Sequence, residues 1–493
     1  MPPRRAWRLL IQALAWAASL VAAIAVGFAA QAWWRLPDLS PWHSLRLDEE
    51  FEVGRPGASA TFTAYLQQEA RLFAELRRRI YETGPTASRE PYARYTPDSP
   101  VARLALDSAG NRSGVTLASE RRGAVLLLHG LTDSPYSLHA VGRVLHQRGL
   151  HVVSLRLPGH GTTPGALSRV NWKDWDAAVT LAARHAAALA GDGRPFYIAG
   201  YSTGAALALI YSLRAVDDPG LPMPKRLFLF SPAIGVSDFA VMTEAAALLA
   251  FVPGLEKARW LDVLPEYDPF KYNSFPVNAA NQVWRLTREL DARLRRAAES
   301  GRLDRIPTVT AFQSLVDSTV LAADVGTRLF ARLPPRNHEL VVFDINRQEF
   351  LASLIAPEPR RAFAQLADAP ALPFRLVVVG NRSPTSPEVV EWVREPGQRH
   401  SEAVTLGLQW PEAVLSLGHI AVPMPADDPL YGITPKARPD AAPFTLGGPA
   451  PRGESGALVV PLGALARLRS NPFFPVIAGR LDAAVRQDTR GAP

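Results

Sequence analysis

The chain has 493 residues, of which 47% are hydrophobic and 20% charged, a balance that excludes a largely disordered protein and gives room for two or three average domains or one large one with insertions. The formal charge is +8, but the excess is nearly all arginine, scattered and not interleaved with aromatics, so no nucleic-acid partner is expected. Cysteine is absent, which excludes disulfides, thiolate metal sites and a cysteine nucleophile.

The first element follows Arg4, Arg5 and Arg8. Leu9 to Ala30 is an uncharged run long enough to span a bilayer as a helix, and Trp33 and Trp34 fall where an interfacial belt belongs. With Arg35 alone beyond it, the charge asymmetry predicts an N-terminus inside and the body outside. Residues 1–35 are therefore expected to form a membrane anchor, with the catalytic domain on the outer face. The alternative is an export signal cleaved after Ala30-Gln31-Ala32, which would secrete the domain.

Residues 36–94 read as a helical connector, because Phe62, Tyr65, Leu66, Ala70, Phe73 and Leu76 recur at helical spacing and suit packing against the main body. Arg77, Arg78 and Arg79 read as a solvated helix face. Gly123 to Gly130, GAVLLLHG, is a continuous apolar run of the length of a buried parallel strand. Leu150 to Leu155 is a second such run and leads into Pro158-Gly159-His160-Gly161, after which a helical pattern runs from Asn171 to Ala190. Phe196 to Gly204, FYIAGYSTG, then places a serine between glycines directly after a strand. A strand that turns sharply into a helix needs small residues at Gly200 and Gly204, and the turn exposes Ser202 at the top of the sheet.

Strand-HG, strand-GHG and GxSxG, in that order, resemble the α/β-hydrolase superfamily, in particular bacterial carboxylesterases and monoacylglycerol-lipase-like serine hydrolases. The resemblance covers residues 95–236 and resumes in pieces to about 425. It implies an α/β fold with a mostly parallel central sheet flanked by helices, and a helical cap inserted at 237–304. The core then continues over 305–430 with strands at Pro307 to Leu315, Glu339 to Asp344 and Phe374 to Val379. A helical insertion is expected near 346–373, a surface loop over 422–460, and a C-terminal loop and helix over 431–493, the helix starting after Asn471-Pro472.

A serine nucleophile needs an imidazole to take its proton and a carboxylate to hold that imidazole. Of the late histidines, His338 and His400 precede apolar runs and so sit at the wrong edge of a parallel sheet. His419 follows Ala413 to Gly418, read here as a strand, and emerges at the correct edge. The resemblance points to the same residue. For the acid, Asp317 fits the family's D-x-x-V pattern, with Asp344 as its rival at the next strand end. The resemblance further implies an oxyanion hole from the backbone N–H groups of Leu131 and Thr203, with His129 and His160 shaping loops. No cofactor or metal is expected.

The expected activity is that of a membrane-anchored, exported serine hydrolase that cleaves carboxylic esters of lipids or medium-chain acids through an acyl-enzyme. Its partners would be a small-molecule or lipid ester substrate and the membrane. The alternatives are an acyltransferase or amidase with the same triad, or an inactive binding module on the same fold.

Overall fold

The alternation of strands and helices becomes one ten-stranded sheet in the computed structural model. The structure describes residues 4–490 apart from 56, 58, 83–89, 236–255, 353–354, 358–360, 362–363, 365–370, 437–443, 449–459 and 461. The strands are β1 (Gly114–Thr116), β2 (Gly123–Leu128), β3 (Leu150–Leu155), β4 (Phe196–Tyr201), β5 (Arg226–Phe230), β6 (Trp260–Asp262), β7 (Phe275–Pro276), β8 (Thr308–Ser314), β9 (Glu339–Phe343), β10 (Arg375–Asn381), β11 (Glu388–Arg394) and β12 (Glu402–Gln409). The sheet order is β1-β3-β2-β4-β5-β8-β9-β10-β11-β12, and β6 pairs separately with β7.

From β3 to β10 every neighbour pair is parallel, while β1 at one edge and β11 and β12 at the other run antiparallel. Every residue of β2 and β4 is buried, which is why both read as continuous apolar runs. Helices Trp172–Ala190 and Thr203–Asp217 pack on one face, and His139–His146 and Phe474–Thr489 supply core residues to the other. The helix expected after Asn471-Pro472 is thus present.

Several expectations are corrected. Residues 413–418 are not a strand. Pro411 opens a turn, Trp410 Nε1 donates to Val414 O at 2.6 Å, and the carbonyls of Leu415 and Leu417 accept from Asn346 N and Ser314 Oγ in place of a ladder partner. β11 did not stand out from the sequence, because as the sheet's antiparallel extension it carries Glu388, Glu391 and Arg394 among its apolar residues. The helix Val277–Glu299, within the expected cap, packs on Thr203–Asp217, buries Leu286, Leu290 and Leu294 in the main core and brings Ala280 and Val283 to the Ser202 cavity. Of the expected surface loop, the described part is anchored inward: Met424, Leu430 and Tyr431 pack with Phe270. Much of the insertion expected at 346–373 lies outside the described residues.

The connector is woven into the body. Its helix Phe62–Leu76 is capped by Thr61, whose hydroxyl accepts from Ala64 N–H at 3.1 Å. Tyr65 donates its hydroxyl to Arg156 O just beyond β3, at 2.7 Å, and the buried Arg156 guanidinium reaches Glu69 and Glu50, each at 2.9 Å. Of the three consecutive arginines, Arg77 pairs with Asp107 and Arg79 with Glu75.

The N-terminal run does form a helix, Arg4–Arg35. Its large side chains Trp7, Leu14, Trp16 and Trp34 are exposed. Among the described residues, however, no helix is long and apolar enough to cross a membrane, so the expected spanning anchor is not supported.

Candidate active site

Ser202 sits between β4 and the helix Thr203–Asp217 with φ 51° and ψ −115°, a conformation that L-residues rarely adopt. The surrounding backbone holds it there: Ser202 N–H donates to Phe230 O at 2.9 Å, and Ser202 O accepts from Ala205, Ala206 and Ala233. The two glycines are sterically required. A Cβ on Gly200 would lie 2.6 Å from Gly204 O, and one on Gly204 would overlap the carbonyl of Leu128 on the neighbouring strand.

Asp317 lies just past β8 and is almost fully buried. Its Oδ1 accepts the amides of Thr319 at 2.8 Å and Val320 at 3.0 Å. Its Oδ2 accepts from Gln313 Nε2 at 3.0 Å and from His419 Nδ1 at 2.6 Å. A carboxylate only accepts, so His419 carries its proton on Nδ1 and leaves Nε2 free of it. Burial pushes the Asp317 carboxyl up, but His419 and the other donors outweigh this and hold it below the ordinary carboxylate range. Asp344, the rival, is committed to Arg347, with a 2.8 Å bond from Nη2 to Oδ1.

His419 opens a short 3₁₀ turn, His419–Ala421, and lines the same cavity as Ser202. No hydrogen bond joins their side chains. The cavity, about 410 Å³, is walled by Leu261, Phe275, Val283 and Val320 and floored by Leu131, Ser202 and Thr203. The N–H groups of Leu131 and Thr203 donate to no partner among the described residues. Thr132, directly after Leu131, is also held at positive φ, 63°.

The early histidines support loops. Leu157 N–H donates to His129 Nε2 at 3.0 Å while His129 Nδ1 donates to Gly130 O at 2.8 Å, so both nitrogens are occupied. His160 Nδ1 donates to Pro158 O at 3.1 Å, and burial lowers its pKa to about 3. His338 is buried at the start of β9, accepting from Val309 N–H, and the exposed His400 lies between β11 and β12. A larger cleft of about 620 Å³ surrounds His338 at the amino edge of the sheet, but Arg226, Arg375 and Arg480 there pair with neighbouring carboxylates, and no candidate nucleophile lies in it.

Two positioning residues did not stand out from the sequence. Tyr272 donates its N–H to Thr132 O at 2.8 Å, and its hydroxyl accepts from Thr162 N–H and donates to Gly159 O, so it ties the HG loop to the GHG loop. Lys271 pairs with the half-buried Asp133 at 3.1 Å beside the cavity. No local pattern marks either, since their partners lie more than a hundred residues away.

Residues 119–324 match a family model described as serine aminopeptidase, S33. The match runs through the strained serine turn and Asp317. The chain has the α/β-hydrolase fold. The chain also resembles several solved structures. One is reported under "LipS and LipT, two metagenome-derived lipolytic enzymes", at 22% identity over 48% of this chain and 88% of that one, with a TM-score of 0.38. The monoacylglycerol lipase of Paleococcus ferrophilus is 17% identical over 47% of this chain and 88% of its own, with a TM-score of 0.35. The monoglyceride lipase of Saccharomyces cerevisiae is 15% identical over 47% and 81%, with a TM-score of 0.37. No curated protein matches the chain significantly.

Proposed function

We propose that this chain is a serine hydrolase that cleaves carboxylic esters through an acyl-enzyme formed on Ser202. The observation that carries the reading is the 2.6 Å bond from His419 Nδ1 to Asp317 in the wall of the cavity that Ser202 also lines. In this scheme His419 Nε2 takes the serine proton as Oγ attacks the carbonyl, then returns it to the leaving alcohol. Water resolves the acyl-enzyme by the reverse transfer, while Asp317 holds the imidazole and stabilises its charged form. The N–H groups of Leu131 and Thr203 receive the oxyanion. The apolar walls suit an acyl chain of medium length or a lipid acyl group.

The family description favours a second reading, an aminopeptidase. Such an enzyme must bind a protonated α-amine, whereas the cationic Arg467, which lines this cavity, has no carboxylate partner among the described residues. Like charge near the scissile bond opposes that substrate. The same triad would also support acyl transfer to an alcohol other than water.

For location, we propose export, supported by the arginines before the uncharged run and by Ala30-Gln31-Ala32 at its end. Fractionation of cells followed by N-terminal mass analysis tests this.

The deciding experiment is fluorophosphonate labelling of wild type and Ser202→Ala, with hydrolysis of p-nitrophenyl esters and p-nitroanilides in parallel. Ester turnover and labelling, both lost in S202A, support the reading. A folded wild type that neither labels nor turns over esters overturns it.

A further inference from the structure

The charged groups around the cavity are committed, with one exception. Lys271 is paired with Asp133, and Asp317 is held by hydrogen bonds from His419, Gln313 and the amides of Thr319 and Val320. Arg467 lines the same cavity, yet its guanidinium has no hydrogen bond or ion pair with any described residue. It is not displaced at random. A Cβ on Gly418 would lie 3.4 Å from both Cγ and Nε of Arg467, so the side chain lies across the residue that precedes His419.

The segment that carries Arg467 is anchored two residues later. Arg469 donates to buried Asp268 at 3.0 Å and to the Tyr267 hydroxyl at 3.1 Å, and Ser470 accepts from Ile433 N–H. One arginine of the pair therefore fixes the backbone and the other is presented, unspent, to the cavity. Arg467 is exposed and its guanidinium is met by water, and a neutral substrate bound beside it displaces part of that water without compensation. An anion there repairs that cost, and the planar guanidinium fork matches carboxylate and phosphate oxygens.

We propose that Arg467 is a specificity-determining residue that binds an anionic group, carboxylate or phosphate, carried by the substrate close to its scissile ester. The substrate is then amphiphilic, with its apolar part against Leu261, Phe275 and Val283 and its anion at the Gly418 side of the cavity. This rests on the ester-hydrolase reading of the site.

Two matched pairs test it: mono-p-nitrophenyl glutarate against p-nitrophenyl pentanoate, and a monoacylglycerol phosphate against the same monoacylglycerol. The readout is the ratio of kcat/KM, anionic over neutral, in wild type, R467K, R467A and R467E. We expect the ratio to fall about tenfold or more in R467A, further in R467E, and to recover in R467K. The pair that responds identifies the anion as carboxylate or phosphate. Equal ratios in wild type and R467E for both pairs overturn the proposal.

If wild type hydrolyses none of the four, the ester-hydrolase reading has failed, and binding still decides the role of Arg467. Calorimetry of glutarate and of glycerol 3-phosphate with Ser202→Ala, and with the same protein carrying R467E, is the measure. Binding lost on adding R467E supports the anion site, and no binding to Ser202→Ala overturns it.

Discussion

His419 Nδ1 lies 2.6 Å from Asp317 Oδ2, although 102 residues separate the two in the chain. The contact depends on β8 ending at the carboxyl edge of the sheet, where the irregular segment after Trp410 also delivers its histidine. Asp344 ends the adjacent strand but is turned to Arg347.

Replacing Asp317 by Asn leaves the shape and removes the charge that orients His419. A loss of about 10³ to 10⁴ in kcat for a p-nitrophenyl ester is expected. Asp344→Asn, assayed alongside, is expected to change kcat by less than about threefold. A larger loss in the Asp344 variant than in the Asp317 variant would reverse the assignment.

Gly204 has no room for a methyl group, because its Cβ would collide with the main chain of β2, which cannot swing aside as a side chain would. Gly204→Ala is expected to cost about 3 kcal/mol or more and to lower the melting temperature by several degrees, with loss of labelling at Ser202. An unchanged melting curve would show that the strand and helix can part more easily than their packing implies.

Glu266 is buried and accepts the amides of Asn273 and Ser274, at 2.9 and 2.8 Å, at the base of the loop that carries Lys271 and Tyr272. Burial raises its pKa from 4.5 to about 7 despite those bonds. The folded state then keeps a proton that the unfolded chain has released, so stability falls as pH rises from about 4.5 to about 7. The change is about 3 kcal/mol at most. Denaturant unfolding across that range is expected to slope downward in wild type more steeply than in Glu266→Gln, and parallel slopes would place the titration elsewhere.

Arg156 neutralises Glu50 and Glu69 in a site nearly closed to water. Arg156→Met strands both carboxylates, with an expected cost of about 3 to 5 kcal/mol. The triple change to Met, Gln and Gln is expected to recover part of that loss, read by urea midpoint.

The parts of the fold legible in the sequence are those dictated by short-range rules. β2 and β4 are buried on both faces and so read as continuous apolar runs, and the turn at Ser202 carries the glycines its geometry demands. His419 was expected at the end of a strand that does not form, and the structure nevertheless brings it against Asp317 at the carboxyl edge of the sheet. Less legible were features whose partners are distant in sequence. Tyr272 and Lys271 acquire their roles only when loops more than a hundred residues apart are brought together, and Arg467 when its segment folds back over Gly418. The N-terminal helix shows a different limit, because an uncharged run fixes helical length without fixing what the helix lies against.

The buried arm has a practical corollary for anyone trimming this enzyme. The family resemblance begins near residue 95, and a truncation there looks natural. It would strip Glu50, Tyr65 and Glu69 from Arg156, leaving a bare guanidinium in a dry pocket just past β3, directly before the GHG loop. The stretch from Trp42 to Leu76 is thus a keystone of the hydrolase, and a shortened version should keep it.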